Sequence, residues 1–185
     1  MAKGYCKKSD IENYLLQTID ASFDAQVNEW ISQIEAYIDR YCDRNFIAEN
    51  GVKKYDGNGT KNILVDDFIT ITKLTIDDKN IDDYYVYPAN TERKYEIYLI
   101  NDIFSRGHQN IEIEAKWGYS ATTPNDIRLA ATILVAGIVV FADNLSQQKR
   151  SESLGDYTVS YKDDRGWQDF EKAKSILDSY RRITF

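Results

Sequence analysis

A hydrophobic period between residues 23 and 41 constrains this chain most. Phe23, Val27, Trp30, Ile31, Ile34, Tyr37, Ile38 and Tyr41 recur in steps of one, three or four. That spacing predicts one long amphipathic helix with these side chains on a single face. Asp24, Glu29, Glu35, Asp39 and Asp43 fall mostly off the face, and the helix is expected to end near Arg44-Asn45-Phe46. Three further helical segments accompany it. Ser9-Asp10-Ile11-Glu12 opens a shorter one carrying Tyr14, Leu15, Leu16 and Ile19. Thr122-Thr123-Pro124-Asn125-Asp126 opens another, apolar on nearly all sides from Ile127 to Phe141 and so expected at the centre of the core. The last runs from about Trp167 to Tyr180, with Phe170, Ala173, Ile176, Leu177 and Tyr180 on one face.

From Asn50 to Trp117 the period changes, and Ile, Val, Thr and Tyr alternate with turn residues. Val52–Tyr55 leads into a turn, and strands are expected after it at Asn62–Val65, Ile69–Ile76, Asp83–Tyr87, Tyr95–Leu99 and Asn110–Trp117. Asp56-Gly57-Asn58-Gly59 and Asp77-Asp78-Lys79-Asn80 provide turns between them. Residues 147–153 are polar, and residues 155–161 alternate like a strand or extended loop. The fold class is therefore α+β: a helical bundle of about four helices with a small antiparallel β module inserted after the second helix. The expected domains are a discontinuous helical domain, 1–49 with 119–185, and an inserted β module, 50–118. Insertion at an exposed loop is tolerated because the loop ends lie close together.

Charge and cysteine usage narrow the function. The 185 residues carry 23 bases and 30 acids, a net charge of −7. Wrapping duplex DNA or an anionic membrane requires the opposite sign, since that affinity comes from Lys and Arg on phosphates. The acidity is uneven: segments 1–49, 50–118 and 119–185 carry net −4, −3 and 0. Cys6 and Cys42 have no Cys or His at metal-ligand spacing, and the single His108 is far away, so neither a zinc site nor a disulfide framework is expected. Reduced intracellular thiols fit better. The first residues have no apolar h-region, so no signal peptide is expected. The apolar run Leu129–Ala142 is shorter than the roughly 18 residues that span a bilayer, and no membrane partner is expected.

Few residues suggest chemistry. The pairs Asp66-Asp67, Asp77-Asp78 and Asp82-Asp83 could hold a divalent cation, but none has an EF-hand spacing and solvated turns explain them better. A metal-dependent nuclease or hydrolase using these acids is the alternative to a structural role. Asp56 to Lys61 lacks the GxxxxGK[ST] spacing of a phosphate loop. Tyr84, Tyr85 and Tyr87 could stack on bases. The basic groove that should accompany base stacking is missing, so strand propensity and interface packing explain them better. No metal or cofactor is expected. At the C-terminus, Arg181 and Arg182 complement the helix dipole, and Ile183 and Phe185 follow as apolar residues, either a frayed end or a segment that docks into a partner.

Taken in order, the motifs resemble the head–tail connector (adaptor, head completion) family of tailed bacteriophages. They begin with Asp10-Ile11 and Tyr14-Leu15, then Ile34-Glu35, Ile38, Tyr41, Arg44 and Phe46 along the long helix. Lys54-Tyr55-Asp56-Gly57, Trp117-Gly118-Tyr119 and Thr123-Pro124 with Ile127 follow. Ser151 through Tyr161, and Leu177 with Tyr180-Arg181-Arg182, complete the series. The full β insertion departs from the shorter family members. The resemblance implies a structural virion protein at the head–tail interface and not an enzyme. It implies a homo-oligomeric ring, usually of twelve subunits, below the portal protein. Such a ring extends the DNA channel, passes DNA without sequence-specific binding, and gives a platform to a stopper or tail-completion protein. It makes Tyr180, Arg181, Arg182, Ile183, Thr184 and Phe185 candidates for portal contact. It makes Ser151, Leu154, Asp156, Tyr157, Val159 and Tyr161 candidates for contact with neighbouring subunits or the next ring.

Overall fold

The computed structural model describes residues 3–147, 151–154, 157–160 and 164–182. Among them the chain is α+β, with the strands following the second helix. The helices are α1 (Lys8–Leu15), α2 (Asp24–Cys42), α3 (Asn125–Gln147) and α4 (Asp164–Asp178). Strands β1 (Glu49–Gly57), β2 (Asn62–Ile76), β3 (Lys79–Asn80), β4 (Tyr84–Tyr87), β5 (Lys94–Leu99) and β6 (Gly107–Trp117) form one antiparallel sheet. A separate hairpin pairs β7 (Ser151–Leu154) with β8 (Tyr157–Ser160), so the segment read as polar around 151 contributes a strand. The chain divides into two compact units, Met1–Asp43 with Pro124–Phe185, and Arg44–Thr123.

In the helical unit, α2 buries Val27, Ile31 and Ile38 of the predicted stripe, and Cys42 besides, and ends at Asp43 in the left-handed conformation. Phe23, expected to open the stripe, instead lies in a 3-10 turn ahead of the helix and is exposed. Glu35 departs from expectation: it is 2% exposed, on the buried face. Its carboxylate is satisfied by the chain's first residues. The backbone N–H groups of Gly4 and Tyr5 donate to Oε1 at 2.8 and 2.7 Å, and that of Lys3 donates to Oε2. Gly4 has φ +90°, which lets three successive N–H groups converge on one anion. The Tyr5 hydroxyl and Lys3 Nζ both reach Asp39. Behind this strap Tyr5 and Cys6 are buried. Burial, then the charges of Glu35 and Asp10, push the Cys6 thiol up to about 12, against a hydrogen bond with Thr132.

Helix α3 packs against α1, α2 and α4. It buries Ile127, Ala130, Ala131, Ile133, Val135 and Ala136, consistent with a central position. Its stretch Asn125–Ala142 is long and apolar enough to cross a membrane by length and composition, longer than the run read from sequence. Its polar Thr132 is satisfied internally, donating to the Arg128 carbonyl at 2.8 Å.

In the β unit the sheet order is β1-β6-β2-β5-β4, with β3 paired to β2. The two strands expected at 62–65 and 69–76 are one, because β2 changes partner without breaking. Asn62–Phe68 pairs with β5, and Phe68–Ile76 pairs with β6, with register shifts around Phe68 and Ile71. Asp66 and Asp67 therefore lie within a strand, where a solvated turn was expected. Asp77 and Asp78 do form a turn, both at positive φ, between β2 and β3. The core holds Ile63, Val65, Phe68, Leu74, Ile97, Leu99, Phe104, Ile111, Ile113 and Trp117.

Candidate functional site

The C-terminal candidates begin at a fixed anchor within the helical unit. Helix α4 ends at Asp178, whose Oδ1 accepts from the Tyr41 hydroxyl at 2.5 Å. This hydrogen bond, together with burial, raises the Tyr41 phenol above its ordinary value. The Tyr180 hydroxyl donates to Asp126 Oδ2 at 3.2 Å, at the start of α3. The Arg181 guanidinium lies 5.3 Å from the centre of the Tyr41 ring. The Arg182 N–H donates to the Cys42 carbonyl at 2.9 Å, satisfying one of the orphan carbonyls at the end of α2. Tyr180, Arg181 and Arg182 are thus gathered at one end of the helical unit, where α2 and α4 finish and α3 begins. Ile183, Thr184 and Phe185 lie outside the described residues.

The second candidate group falls on the β7–β8 hairpin, between α3 and α4 in sequence. Leu154 pairs directly with Tyr157, Glu152 with Val159 and Ser151 with Ser160. Asp156 and Tyr161 lie outside the described residues. The hairpin and the α4 terminus are separate groups: the structure brings together Tyr180 to Arg182, and separately Ser151, Leu154, Tyr157 and Val159.

Of the acids that could have served metal chemistry, Asp66, Asp67 and Asp77 are each engaged by their own partners. Asp66 Oδ2 accepts from Lys53 Nζ at 2.7 Å and from the Tyr55 hydroxyl at 3.0 Å. Asp67 is buried against Arg44. Asp77 accepts from the Ser105 hydroxyl and from Asn110 Nδ2, which hold its carboxyl below the usual range. Asp56 accepts from the Gln109 N–H at 2.6 Å and lies 3.3 Å from His108 Nδ1; the backbone bond, then His108, lowers it. Among the described residues no three His, Cys, Asp or Glu side chains converge as a metal site.

The motif residues instead have fold-holding roles. Asp10 accepts from the Lys7 N–H at 2.8 Å and caps α1. Glu35 binds the N-terminal strap, Tyr41 binds α4, and Phe46 is fully buried beside Tyr119. A Cβ on Gly57 would sit 1.7 Å from the Ser105 carbonyl oxygen. Gly118, at φ +148°, would place a Cβ 2.5 Å from Ala48 Cα. Trp117, before it, donates its indole N–H to the Gly51 carbonyl at 2.9 Å. Sequence reasoning missed the strap at Lys3 to Tyr5; its local signal is the Gly4-Tyr5 pair, whose partner lies thirty residues on.

No curated protein sequence matches the chain. Solved structures do match in fold. One is a chain from the neck of a native gene transfer agent (GTA) particle computed with C12 symmetry, at TM-score 0.58 and 12% identity, covering 96% of this chain and 88% of that one. Another is a chain from the neck of an empty GTA particle computed with C6 symmetry, at TM-score 0.61 and 12% identity, covering 100% and 91%. A third, from the virion of the native gene transfer agent particle, has TM-score 0.58 and 13% identity, covering 100% and 91%. The head completion protein model matches residues 9–183, nearly the whole sequence and every motif that carried the resemblance. The chain belongs to the head completion protein family.

Proposed function

We propose that this protein is a structural subunit of the head–tail connector, located in the virion at the head–tail interface. It forms a ring below the portal, extends the DNA channel and gives the next head-completion or tail protein its platform. The family match across residues 9–183 carries the reading. Two observations support the ring: the similarity of the whole chain to chains in necks computed with C12 and C6 symmetry, and a net charge of −7. An acidic channel lining lets DNA pass, because it offers no cations to hold phosphates. The helical part, 1–49 with 119–185, is the connector domain and 50–118 its insertion. Tyr180 to Phe185 make the portal contact, starting from the anchor at Tyr41, Cys42 and Asp126. The β7–β8 hairpin region, with Ser151, Leu154, Asp156, Tyr157, Val159 and Tyr161, meets a neighbouring subunit or the next ring. The role is non-enzymatic.

Electron microscopy of the purified protein mixed with portal-bearing particles tests the reading. Added ring density below the portal is expected; particles that never acquire it overturn the proposal. Incubation with DNA and Mg²⁺ or Mn²⁺ is expected to leave the DNA intact, and cleavage lost in Asp66→Ala or Asp77→Ala would favour the enzyme instead.

A further inference from the structure

The β unit has two outward surfaces of opposite character. On the β1–β6–β2 side, cross-strand pairing sets Asn50 beside Lys116 and Thr70, Val52 beside Glu114 and Lys73, and Lys54 beside Glu112. This is the charged lattice of a solvated sheet face, with Lys54 Nζ 3.3 Å from Glu112. Among the described residues, Lys73 and Lys116 make no ion pair.

On the β2–β5–β4 side the rows are Asn62–Tyr98–Tyr85 and Leu64–Glu96–Tyr87. The alternate residues Ile63 and Ile97 are buried and Val86 packs against the same core, so the tyrosine rows face outward. Leu64 is 65% exposed, Tyr85 56%, Tyr87 39% and Tyr98 36%. The Asp83 carbonyl accepts from the Ile100 N–H at 3.2 Å, continuing the ladder and placing Asp83 on the same face as Tyr85. Asp83 is exposed and makes no ion pair among the described residues, and Glu96, in the second row, accepts from Asn62 Nδ2 at 2.9 Å. These rows contain no base. A cluster of exposed tyrosines and a leucine beside the Asp83 and Glu96 carboxylates has the make-up of an interface core with a polar rim.

We infer that this tyrosine face binds the lysine face, around Lys73 and Lys116, of a second copy of this chain, the neighbour in the ring. The inference deepens the ring reading and rests on it. The charges are complementary, the Asp83 and Glu96 carboxylates against the Lys73 and Lys116 ammonium groups, and tyrosine rings also accept lysine ammonium groups over their faces. The contact joins two different patches, so it is heterologous and repeats from copy to copy until the ring closes. It gives the β insertion a function: bracing adjacent subunits.

The test scores ring assembly by electron microscopy for the full-length protein, alone and on portal-bearing particles. Tyr85→Ser with Tyr98→Ser is expected to lower assembly about tenfold or more, with circular dichroism unchanged because both side chains are exposed. Asp83→Lys with Glu96→Lys, and separately Lys73→Glu with Lys116→Glu, are each expected to weaken assembly. Combining the two charge reversals is expected to restore it. Wild-type assembly of all these variants overturns the inference and leaves the ring reading standing. Weakening by each reversal without restoration in the combination overturns the lysine face as the occupant. Absence of rings from the wild-type protein in both settings overturns the ring reading itself, and this interface with it.

Discussion

Replacing Glu35 by Ala tests how the helical unit is held together. The carboxylate accepts three backbone N–H groups from residues 3–5 and is itself buried. The variant has two ways to respond. If the strap stays in place, its donors lose their acceptor, and each buried unpaired donor costs about 1–3 kcal/mol. If the strap leaves, its donors are hydrated, but the fully buried Tyr5 is exposed, which costs about 1.5–3 kcal/mol before Cys6 is counted. The chain takes the cheaper route, so the loss is about 3 kcal/mol, and release is the favoured response because it avoids several unpaired donors at once. Two assays read it. Urea denaturation of the helical unit gives the stability loss. Thiol labelling, with Cys6 and Cys42 distinguished by mass spectrometry, reads release directly, since Cys6 becomes reactive only when the strap opens. Glu35→Gln keeps the shape but turns a donor toward donors, and is expected to lose about half as much. A Glu35→Ala protein within about 0.5 kcal/mol of wild type, with Cys6 still protected, would refute the strap's role.

Other outcomes follow from the same structure. Arg44→Ala leaves Asp67 buried without its partner and is expected to cost about 3–5 kcal/mol in urea denaturation, whereas Arg44→Met with Asp67→Leu is expected to recover most of that loss. The Cys6 thiol ionises near 9 when unfolded and near 12 when folded. Its contribution to stability is therefore complete below about pH 9 and is lost between 9 and 12, by about 1.4 kcal/mol per pH unit; denaturation of Cys6→Ala should show a shallower alkaline loss. Tyr41→Phe removes the hydrogen bond to Asp178 and is expected to cost about 1 kcal/mol in denaturation. Removing residues 183–185 leaves the Arg182 anchor intact and is expected to weaken binding to portal-bearing particles in a co-sedimentation assay without changing the unfolding midpoint.

Local periodicity exposed much of this fold and long-range partnership exposed less. The α2 stripe, the apolar α3 and the alternation of Ile111, Ile113 and Ala115 with charged residues are local signals, and the elements appear where those signals lie. Glu35 looked like a solvent-facing acid because its three donors come from the chain's beginning, and nothing within one helical turn reveals them. Asp66-Asp67 resembled a turn for a similar reason. Arg44 neutralises one and Lys53 with Tyr55 holds the other, so β2 bends through them without ending. The candidate site divides along the same line. Arg181 and Arg182 were visible as a basic end after the last helix. Their tie to Tyr41 and the Cys42 carbonyl depends on tertiary packing. The tyrosine cluster was visible as β-propensity and interface packing, without the surface that carries it. Register alone shows that Tyr85 and Tyr98 share a row on the exposed side.

Cryo-electron microscopy of the assembled neck would show where this chain sits in the particle. A closed ring of this chain is expected immediately below the portal, around the DNA channel, with the ends of α2 and α4, marked by Tyr41, Arg181 and Arg182, directed at the portal. A neck in which the portal joins the next component with no ring of this protein between them would contradict it.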